Sequence, residues 1–400
     1  QIMPPVMGAV AFIMAETIGV PYLEIVKAAL IPAILYFATA FWMVHLEAGR
    51  LGLVGIPKEE CPDPWAAVRR SWYLILPLAA LVWLLFAGYT PLFSGTVGLA
   101  ATVILIFGAA AISRAPNTVL RFIFWIGLGL LASSFLRWGI TAVFAVIGLL
   151  IAVNLWVHGG REVLRLALNG LSEGAKNALS VGVACALVGV IIGVMTLTGA
   201  ATTFGGYVIR LGEHSLFLSL LLTMLTCLVL GMGIPTIPNY IITSSLAAPA
   251  LLEMGVPLIV SHMFVFYFGI MADLTPPVAL AAYAASPIAR ASGLAIGVQA
   301  MRIAIAGFVV PFMAVYAPAL MLQSGTWVDT AYVVFKALLA IGLWGAASIG
   351  YLWLPLSWPE RILAAAGAFM LVVALPITDE IGFALCAAAL GIHWLRSRKR

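Results

Sequence analysis

The chain has 400 residues, of which 64% are hydrophobic and only 9% are charged, and its mean hydropathy is +1.14. This composition excludes an ordinary soluble domain and predicts an all-α polytopic membrane protein. The net charge of +5 does not indicate nucleic-acid binding, because the basic residues are scattered among hydrophobic segments. Their expected role there is to orient the protein in the bilayer.

At the start of the chain, a short helix after Met3-Pro4-Pro5-Val6 is expected to lead into a long span at 21–46. An amphipathic helix at 161–177 is expected to lie along the membrane interface, before a separate span at about 178–200. A single long span is also predicted at 295–322. The predicted divisions are a first repeat (1–46), a connecting loop with transmembrane helices (47–157), a second repeat (158–322) and a hydrophobic C-terminal extension (323–400).

Two stretches interrupt what would otherwise be continuous membrane helix. The first is Gly-Met-Gly-Ile-Pro-Thr at 231–236, and the second is Asp-Leu-Thr-Pro-Pro at 273–277. The apolar segments on either side of the first stretch are each about 15 residues long, whereas a membrane span needs roughly 20. The sequence therefore predicts a re-entrant helical hairpin at 216–253 and a broken transmembrane helix at 257–286, a construction typical of secondary transporters.

The distribution of basic residues predicts the orientation. When the basic C-terminus is placed in the cytoplasm and the hairpin enters and leaves on the outer side, most of the 20 Lys and Arg residues fall on the inner side. This agrees with the positive-inside rule. If the hairpin crossed the membrane as one span, the predicted orientation of all the segments before it would be reversed. Their basic residues would then no longer agree with the positive-inside rule.

The sequence also predicts an internal repeat. Met3-Pro4-Pro5-Val6 and Thr275-Pro276-Pro277-Val278 each precede a helix of small residues, a turn and a long span with a basic residue near its start. The two long spans run in opposite directions in the predicted topology, which indicates an inverted-topology repeat. The alternative is that the Pro-Pro pair recurs by chance.

Taken together, these motifs resemble those of the tripartite ATP-independent periplasmic (TRAP) transporters. The resemblance is to the large membrane subunit of permeases in which the small and large subunits are fused, and it covers about residues 1–320. The segments that carry it are Gln1-Ile2-Met3-Pro4-Pro5-Val6-Met7-Gly8, Pro21-Tyr22-Leu23-Glu24, Val44-His45-Leu46-Glu47-Ala48, Gly231-Met232-Gly233-Ile234-Pro235-Thr236, Phe264-Val265-Phe266-Tyr267-Phe268-Gly269 and Thr275-Pro276-Pro277-Val278-Ala279-Leu280-Ala281-Ala282-Tyr283.

The resemblance implies an elevator-type transporter in the bacterial inner membrane. It would couple inward Na⁺ flow to the uptake of organic acids that a periplasmic substrate-binding protein delivers. It further implies that small-subunit helices and a first hairpin precede Gln1, so that the first repeat is truncated here.

The two breaks are the predicted cation site. Glycine permits unusual backbone angles and proline removes a hydrogen-bond donor, so both residues free carbonyl oxygens for an ion. The candidate Na⁺-binding residues are Gly231, Gly233, Thr236, Asp273 and Thr275. The alternative for the Gly and Pro residues is a tight turn or a kink. Asp273 has an alternative role as a cap for the next half-helix.

Polar residues after the tip and the N-terminal ends of the half-helices are the predicted substrate contacts, because such ends attract carboxylates. The candidates are Asn239, Ser244, Ser245, Pro276, Pro277, Pro4 and Pro5. For the small polar residues the alternative is hydrogen bonding between membrane helices.

The function predicted from these observations is a permease subunit for Na⁺-coupled, binding-protein-dependent organic-acid import. Two alternatives remain open: a carboxylate or ion transporter that needs no binding protein, and a membrane scaffold that does not transport. No arrangement of residues suggests catalysis, so an enzyme is not expected. No cofactor is expected other than Na⁺ as the coupling ion. The expected partners are the binding protein, the small-subunit helices, membrane lipid and the organic acid.

Overall fold

The computed structural model describes residues 1–4, 7–112, 118–133, 139–157, 159–373 and 376–398. Apart from one isolated bridge between Tyr351 and Pro355, the regular secondary structure of these residues is helical. Five of the described helices are long and apolar enough to cross a membrane, or six when one bent pair is counted as a single span. The prediction of an all-α polytopic membrane protein is therefore confirmed.

The described residues form eighteen α-helices along the chain. They are α1 (Val10–Ile18), α2 (Tyr22–Leu51), α3 (Pro64–Ser71), α4 (Leu76–Phe86), α5 (Pro91–Ile112), α6 (Thr118–Ser133), α7 (Ile140–Trp156), α8 (Gly160–Leu197), α9 (Ala200–His214), α10 (Leu216–Leu230), α11 (Thr236–Glu253), α12 (Leu258–Met271), α13 (Leu280–Ala289), α14 (Gly293–Ile303), α15 (Ile305–Tyr316), α16 (Trp327–Ile349), α17 (Trp358–Val373) and α18 (Pro376–Arg398). Short 3₁₀ helices lie at Lys58–Glu60, Trp72–Ile75 and Pro318–Met321.

The chain forms two compact units. One consists of Gln1–Pro57 and Val183–Arg400, and the other of Lys58–Gly182. In the second unit, Phe107 of α5 packs with Val146 and Leu150 of α7. The buried Asn154 side chain donates hydrogen bonds to the carbonyls of Phe107, at 3.0 Å, and Leu150, at 2.8 Å. All the described candidate site residues lie in the first unit.

The core of the first unit is built around α12. Every residue of this helix from Ile259 to Met271 is buried. Its sequence is apolar on all sides, as expected for a helix that is surrounded by other helices. α10, α11, α15 and α2 pack against it. Helix α12 is therefore the element against which the hairpin is positioned.

The amphipathic segment and the span that follows it are one helix, α8, of 38 residues. The prediction of two separate elements was wrong. The amphipathic pattern changes to an apolar one near Asn177, but no proline interrupts the backbone there. A change in polarity alters what a helix contacts, not its main-chain hydrogen bonding. The helix ends only before Gly199, whose φ is +68°.

The span predicted at 295–322 is not a single straight helix. It consists of α14 and α15, which are bent by 42° at Ala304, followed by the 3₁₀ helix Pro318–Met321. At the start of α15, a side chain in place of Gly307 would overlap the sulfur of Met271. The bend thus accompanies a close approach between α15 and α12 that periodicity along one segment does not indicate.

The two Pro-Pro segments share a backbone feature. Met7 has a φ of +48° and Ala279 a φ of +40°, although neither is glycine. Both residues occupy the second position after their Pro-Pro pair, and each is followed by a short helix, α1 of 9 residues or α13 of 10. A left-handed conformation at a non-glycine residue is uncommon. Its occurrence at equivalent positions supports the interpretation of the segments as a repeat.

Candidate ion and substrate site

The tip of the predicted hairpin is non-helical. Helix α10 ends at Leu230 and α11 begins at Thr236. Between them, Gly233 has a φ of +76°, and Pro235 adopts an extended conformation just before α11. α10 and α11 pack against each other, and both contact α12 and α9. The 216–253 segment is therefore not one continuous helix.

Several main-chain carbonyl oxygens at the tip accept no main-chain hydrogen bond from the described residues. The Gly231 carbonyl accepts a hydrogen bond of 3.4 Å from the Ile234 N–H. Within the described chain, the carbonyls of Leu230, Met232 and Gly233 accept no main-chain hydrogen bond. Unpaired carbonyls at a helix break can coordinate a cation, so this arrangement is chemically suited to the predicted role.

The second break extends from Ala272 to Ala279, between α12 and α13. The Thr275 hydroxyl donates to the Met271 carbonyl at 2.7 Å, and its oxygen keeps lone pairs that can accept a further contact. The carbonyls of Leu274, Pro276, Pro277 and Val278 receive no main-chain hydrogen bond in the described structure. This break therefore also has carbonyl oxygens without main-chain hydrogen bonds among the described residues.

The two breaks lie side by side. A Cβ atom built on Gly231 would be 2.7 Å from the Cβ of Ala272, so only a glycine allows this approach. A Cβ atom on Gly233 would lie 3.8 Å from Cγ1 of Val278. The tip of the hairpin thus packs against both ends of the break in the next span, although the two segments are separated in the chain by the whole of α11 and α12.

Asn239 lies at the centre of this contact and is 1% exposed. Its side-chain Nδ2 donates to the Gly269 carbonyl at 2.8 Å, which is one of the carbonyls that the end of α12 leaves free. Its Oδ1 is buried and has no hydrogen-bond partner among the described residues. A side chain on Gly231 would overlap Nδ2. A buried amide oxygen without a partner is costly and points to a ligand.

Asp273 does not cap the next half-helix through its side chain. Its main-chain carbonyl accepts the Ala281 N–H at 3.1 Å, whereas no described residue donates a hydrogen bond to its half-buried carboxylate. The main chain thus performs the capping that was one of the two sequence-based interpretations. The charged group remains available for another role.

Ser244 and Ser245 lie away from the tip. They line a cavity of about 480 Å³ together with Thr17 at the end of α1 and His262 of α12. Both serine hydroxyls also donate within α11, Ser244 to Ile241 at 3.3 Å and Ser245 to Ile242 at 2.9 Å. The predicted substrate residues therefore divide into two groups, with Asn239 at the breaks and the serines at this cavity.

The remaining candidates lie around the breaks or outside the described residues. Thr236 is the first residue of α11 and is half-buried. Pro276 packs on Gly297, where an added Cβ would be 3.0 Å from its Cγ, and Pro277 is exposed. Pro4 lies in the turn before α1. Pro5 lies outside the described residues.

Sequence reasoning missed three residues at this site. Gly269 supplies the carbonyl for Asn239, and Thr17 and His262 line the cavity. His262 was the one with a usable signal, because a titratable residue inside an apolar membrane helix is more often functional than not. Gly269 ends one of the segments that carry the family resemblance, but that segment was given no role in the site, and no local signal distinguished Thr17 from other small polar residues.

Residues 1–115 and 106–327 match the family model described as tripartite ATP-independent periplasmic transporter, DctM component. The chain belongs to this family. Comparison with curated proteins and with solved structures gave no significant match.

Membership of the DctM family makes the chain an integral membrane protein of a transporter family and confirms the resemblance inferred from the motifs. Both breaks fall inside the matched region. The match ends at residue 327, so α17, α18 and all but the first residue of α16 lie outside it. The matched residues form the DctM core, and all but the first few residues of the C-terminal extension lie outside it.

Proposed function

We propose that this DctM-family chain is the permease component of a Na⁺-coupled, binding-protein-dependent importer of organic acids. The observation that carries the proposal is the meeting of two helix breaks around the buried, unpartnered Oδ1 of Asn239. Carbonyl and amide oxygens are suitable ligands for Na⁺ at an unwound membrane segment, because their partial negative charge attracts the ion.

The proposed ion ligands come from both breaks. The tip contributes the Gly233 carbonyl, and Asn239 contributes Oδ1. The second break contributes the Thr275 hydroxyl and the Asp273 carboxylate. The N-terminal end of α11 at Thr236, whose first N–H groups have no side-chain cap, is suited to a substrate carboxylate. An anionic substrate and a Na⁺ ion bound at neighbouring helix ends would attract each other, and this attraction would couple substrate uptake to Na⁺ uptake.

The proposal places the chain in the bacterial inner membrane with its C-terminus in the cytoplasm. Its expected partners are a periplasmic substrate-binding protein and the small-subunit helices of the same permease. The first unit, which contains both breaks, is the proposed moving body of an elevator mechanism.

The test is uptake of a panel of carboxylates by the complete permease with its binding protein, in vesicles with and without an inward Na⁺ gradient. Asp273→Asn is the informative variant, because its carboxylate supports no described hydrogen bond and its loss should leave the fold intact. We expect at least a roughly ten-fold higher Na⁺ concentration for half-maximal uptake, since one charged ligand is lost. Glu253→Gln, an exposed acid at the far end of α11, is the control.

Each outcome separates the alternatives. Uptake that needs the gradient but not the binding protein would favour a binding-protein-independent transporter. No uptake of any carboxylate, with the Asp273→Asn protein indistinguishable from wild type in Na⁺-dependent thermal stability, would favour a non-transporting scaffold. Equal behaviour of Asp273→Asn and Glu253→Gln would remove Asp273 from the site.

A further inference from the structure

The second arm of the hairpin is joined to α12 by the side chains of two consecutive residues. Asn239 donates to the Gly269 carbonyl at 2.8 Å. The hydroxyl of Tyr240 shares a hydrogen bond of 2.8 Å with Nδ1 of His262. Tyr240 is 1% exposed and His262 is 7% exposed. The two residues of α12 that take part, His262 and Gly269, are seven residues apart, which corresponds to two helical turns on the same face.

These bonds oppose a separation of the hairpin from α12. Moving α11 away would leave a carbonyl, an amide, a phenol and an imidazole without partners in an apolar core, and each unsatisfied group is costly. The close packing of Gly231 on Ala272 would be lost in the same movement. The hairpin is therefore held to the broken span at its tip and again further along α11.

The Tyr240–His262 pair is not itself at the tip. His262 lies on the cavity that also contains Ser244, and with Nδ1 engaged by Tyr240 its remaining ring nitrogen, Nε2, is the one available to that cavity. The Tyr240–His262 pair is therefore farther from the second break along α12 than the contact between Asn239 and Gly269. Its position suits it to control where Asn239 is held without touching an ion.

We propose that His262 is a positioning residue that fixes α11 to α12 through Tyr240, so that the hairpin and the broken span move as one body and the hairpin does not open as a flap. This inference rests on the proposed function where it concerns Na⁺. The packing of the hairpin can be tested without Na⁺.

The test of packing uses Cys227, which is buried in α10 near the tip with 0% exposure. In the complete permease with Cys61, Cys185 and Cys386 replaced by alanine, the rate of labelling of Cys227 by N-ethylmaleimide is measured in membranes, in Na⁺ and in K⁺. We expect slow labelling in both salts. Tyr240→Phe, which removes only the hydroxyl, should raise the rate roughly five-fold, the effect of losing the one hydrogen bond that Tyr240 makes to α12.

Two variants distinguish positioning from general stability. Tyr267→Phe in α12 removes a buried hydroxyl that has no partner in the described structure, so the labelling rate should not change. His262→Asn can keep a hydrogen-bonding atom near the position of Nδ1. Cys227 should therefore be labelled more slowly in the His262→Asn protein than in the His262→Leu protein. In uptake, Tyr240→Phe should raise the half-saturating Na⁺ concentration with little change in maximal rate.

Rapid labelling of the wild-type Cys227 in K⁺ and protection in Na⁺ would overturn the inference, because the hairpin would then open as a flap. Equal labelling of the Tyr240→Phe and Tyr267→Phe proteins would also overturn it. If wild-type uptake and stability show no Na⁺ dependence, the proposed function fails, while the labelling comparison still decides whether His262 positions the hairpin.

Discussion

The glycines at the tip exclude a side chain for different reasons. Gly231 has no space for one, since a Cβ atom would overlap Asn239 and press on Ala272. Gly233 has space, with only an ordinary 3.8 Å contact to Val278, but its φ of +76° disfavours any residue with a Cβ atom. The Gly-Met-Gly-Ile-Pro-Thr motif thus combines a packing requirement with a backbone requirement within three residues.

The backbone requirement at Gly233 can be separated from its proposed role in ion binding. Gly255, which follows α11, has a φ of +84° and nothing within 4 Å of a built Cβ. Gly233→Ala and Gly255→Ala should each lower the free energy of unfolding by about 1 kcal/mol, measured by thermal unfolding in detergent. Only Gly233→Ala should also reduce the stabilisation by Na⁺, because it displaces the tip carbonyls. Similar Na⁺ responses in the two proteins would contradict a role for the tip.

The C-terminal extension is held together by an ion pair inside its helices. Lys336 of α16 is buried and its Nζ lies 3.0 Å from Asp379 of α18. The Tyr332 hydroxyl donates to the same carboxylate at 2.9 Å. Buried charges at membrane depth are costly unless they are paired. This pair therefore fixes α16 and α18 in one relative position.

Removing one partner of the Lys336–Asp379 pair should lower the free energy of unfolding more than removing both. Lys336→Met alone should destabilise the protein by roughly 3 kcal/mol, because it leaves the buried Asp379 without its counter-charge. The double variant Lys336→Met with Asp379→Asn should recover much of that loss. The exposed pair Lys176–Glu173 is the control, and Lys176→Met should change the unfolding free energy by less than about 1 kcal/mol. If the change in unfolding free energy of the double variant equals the sum of the changes in Lys336→Met and Asp379→Asn alone, the two residues are not coupled.

At the level of the whole molecule, the extension belongs to the unit that contains the two breaks. Helix α16 packs on α2 of the first repeat. The Trp42 indole N–H donates to the Gly342 carbonyl at 3.2 Å, and a Cβ atom on Gly345 would be 2.5 Å from the sulfur of Met43. The part of the chain beyond the DctM match is thus docked on the DctM core through a close helix–helix contact.

This docking predicts different effects at two glycines of the same helix. Gly345→Leu should force α16 away from α2 and lower stability by about 1–3 kcal/mol, the usual cost of overpacking. Gly342→Leu should have little effect, because nothing lies within 4 Å of its Cβ position. Thermal unfolding of both proteins provides the comparison. Equal transition temperatures would show that the α2–α16 contact does not contribute to stability.

Sequence alone determined the all-helical membrane class and the positions of both breaks, because apolar run length, glycine and proline act on their own stretch of chain. It did not predict the continuity of α8 or the bend at Ala304, where polarity and periodicity are weak guides to the backbone.

Only the tertiary structure decided which residues of α12 the hairpin contacts. Asn239 meets Gly269 across 30 residues of sequence, and Tyr240 meets His262 across 22. Such contacts depend on how α11 packs on α12, and packing is a property of two surfaces that neither segment encodes by itself.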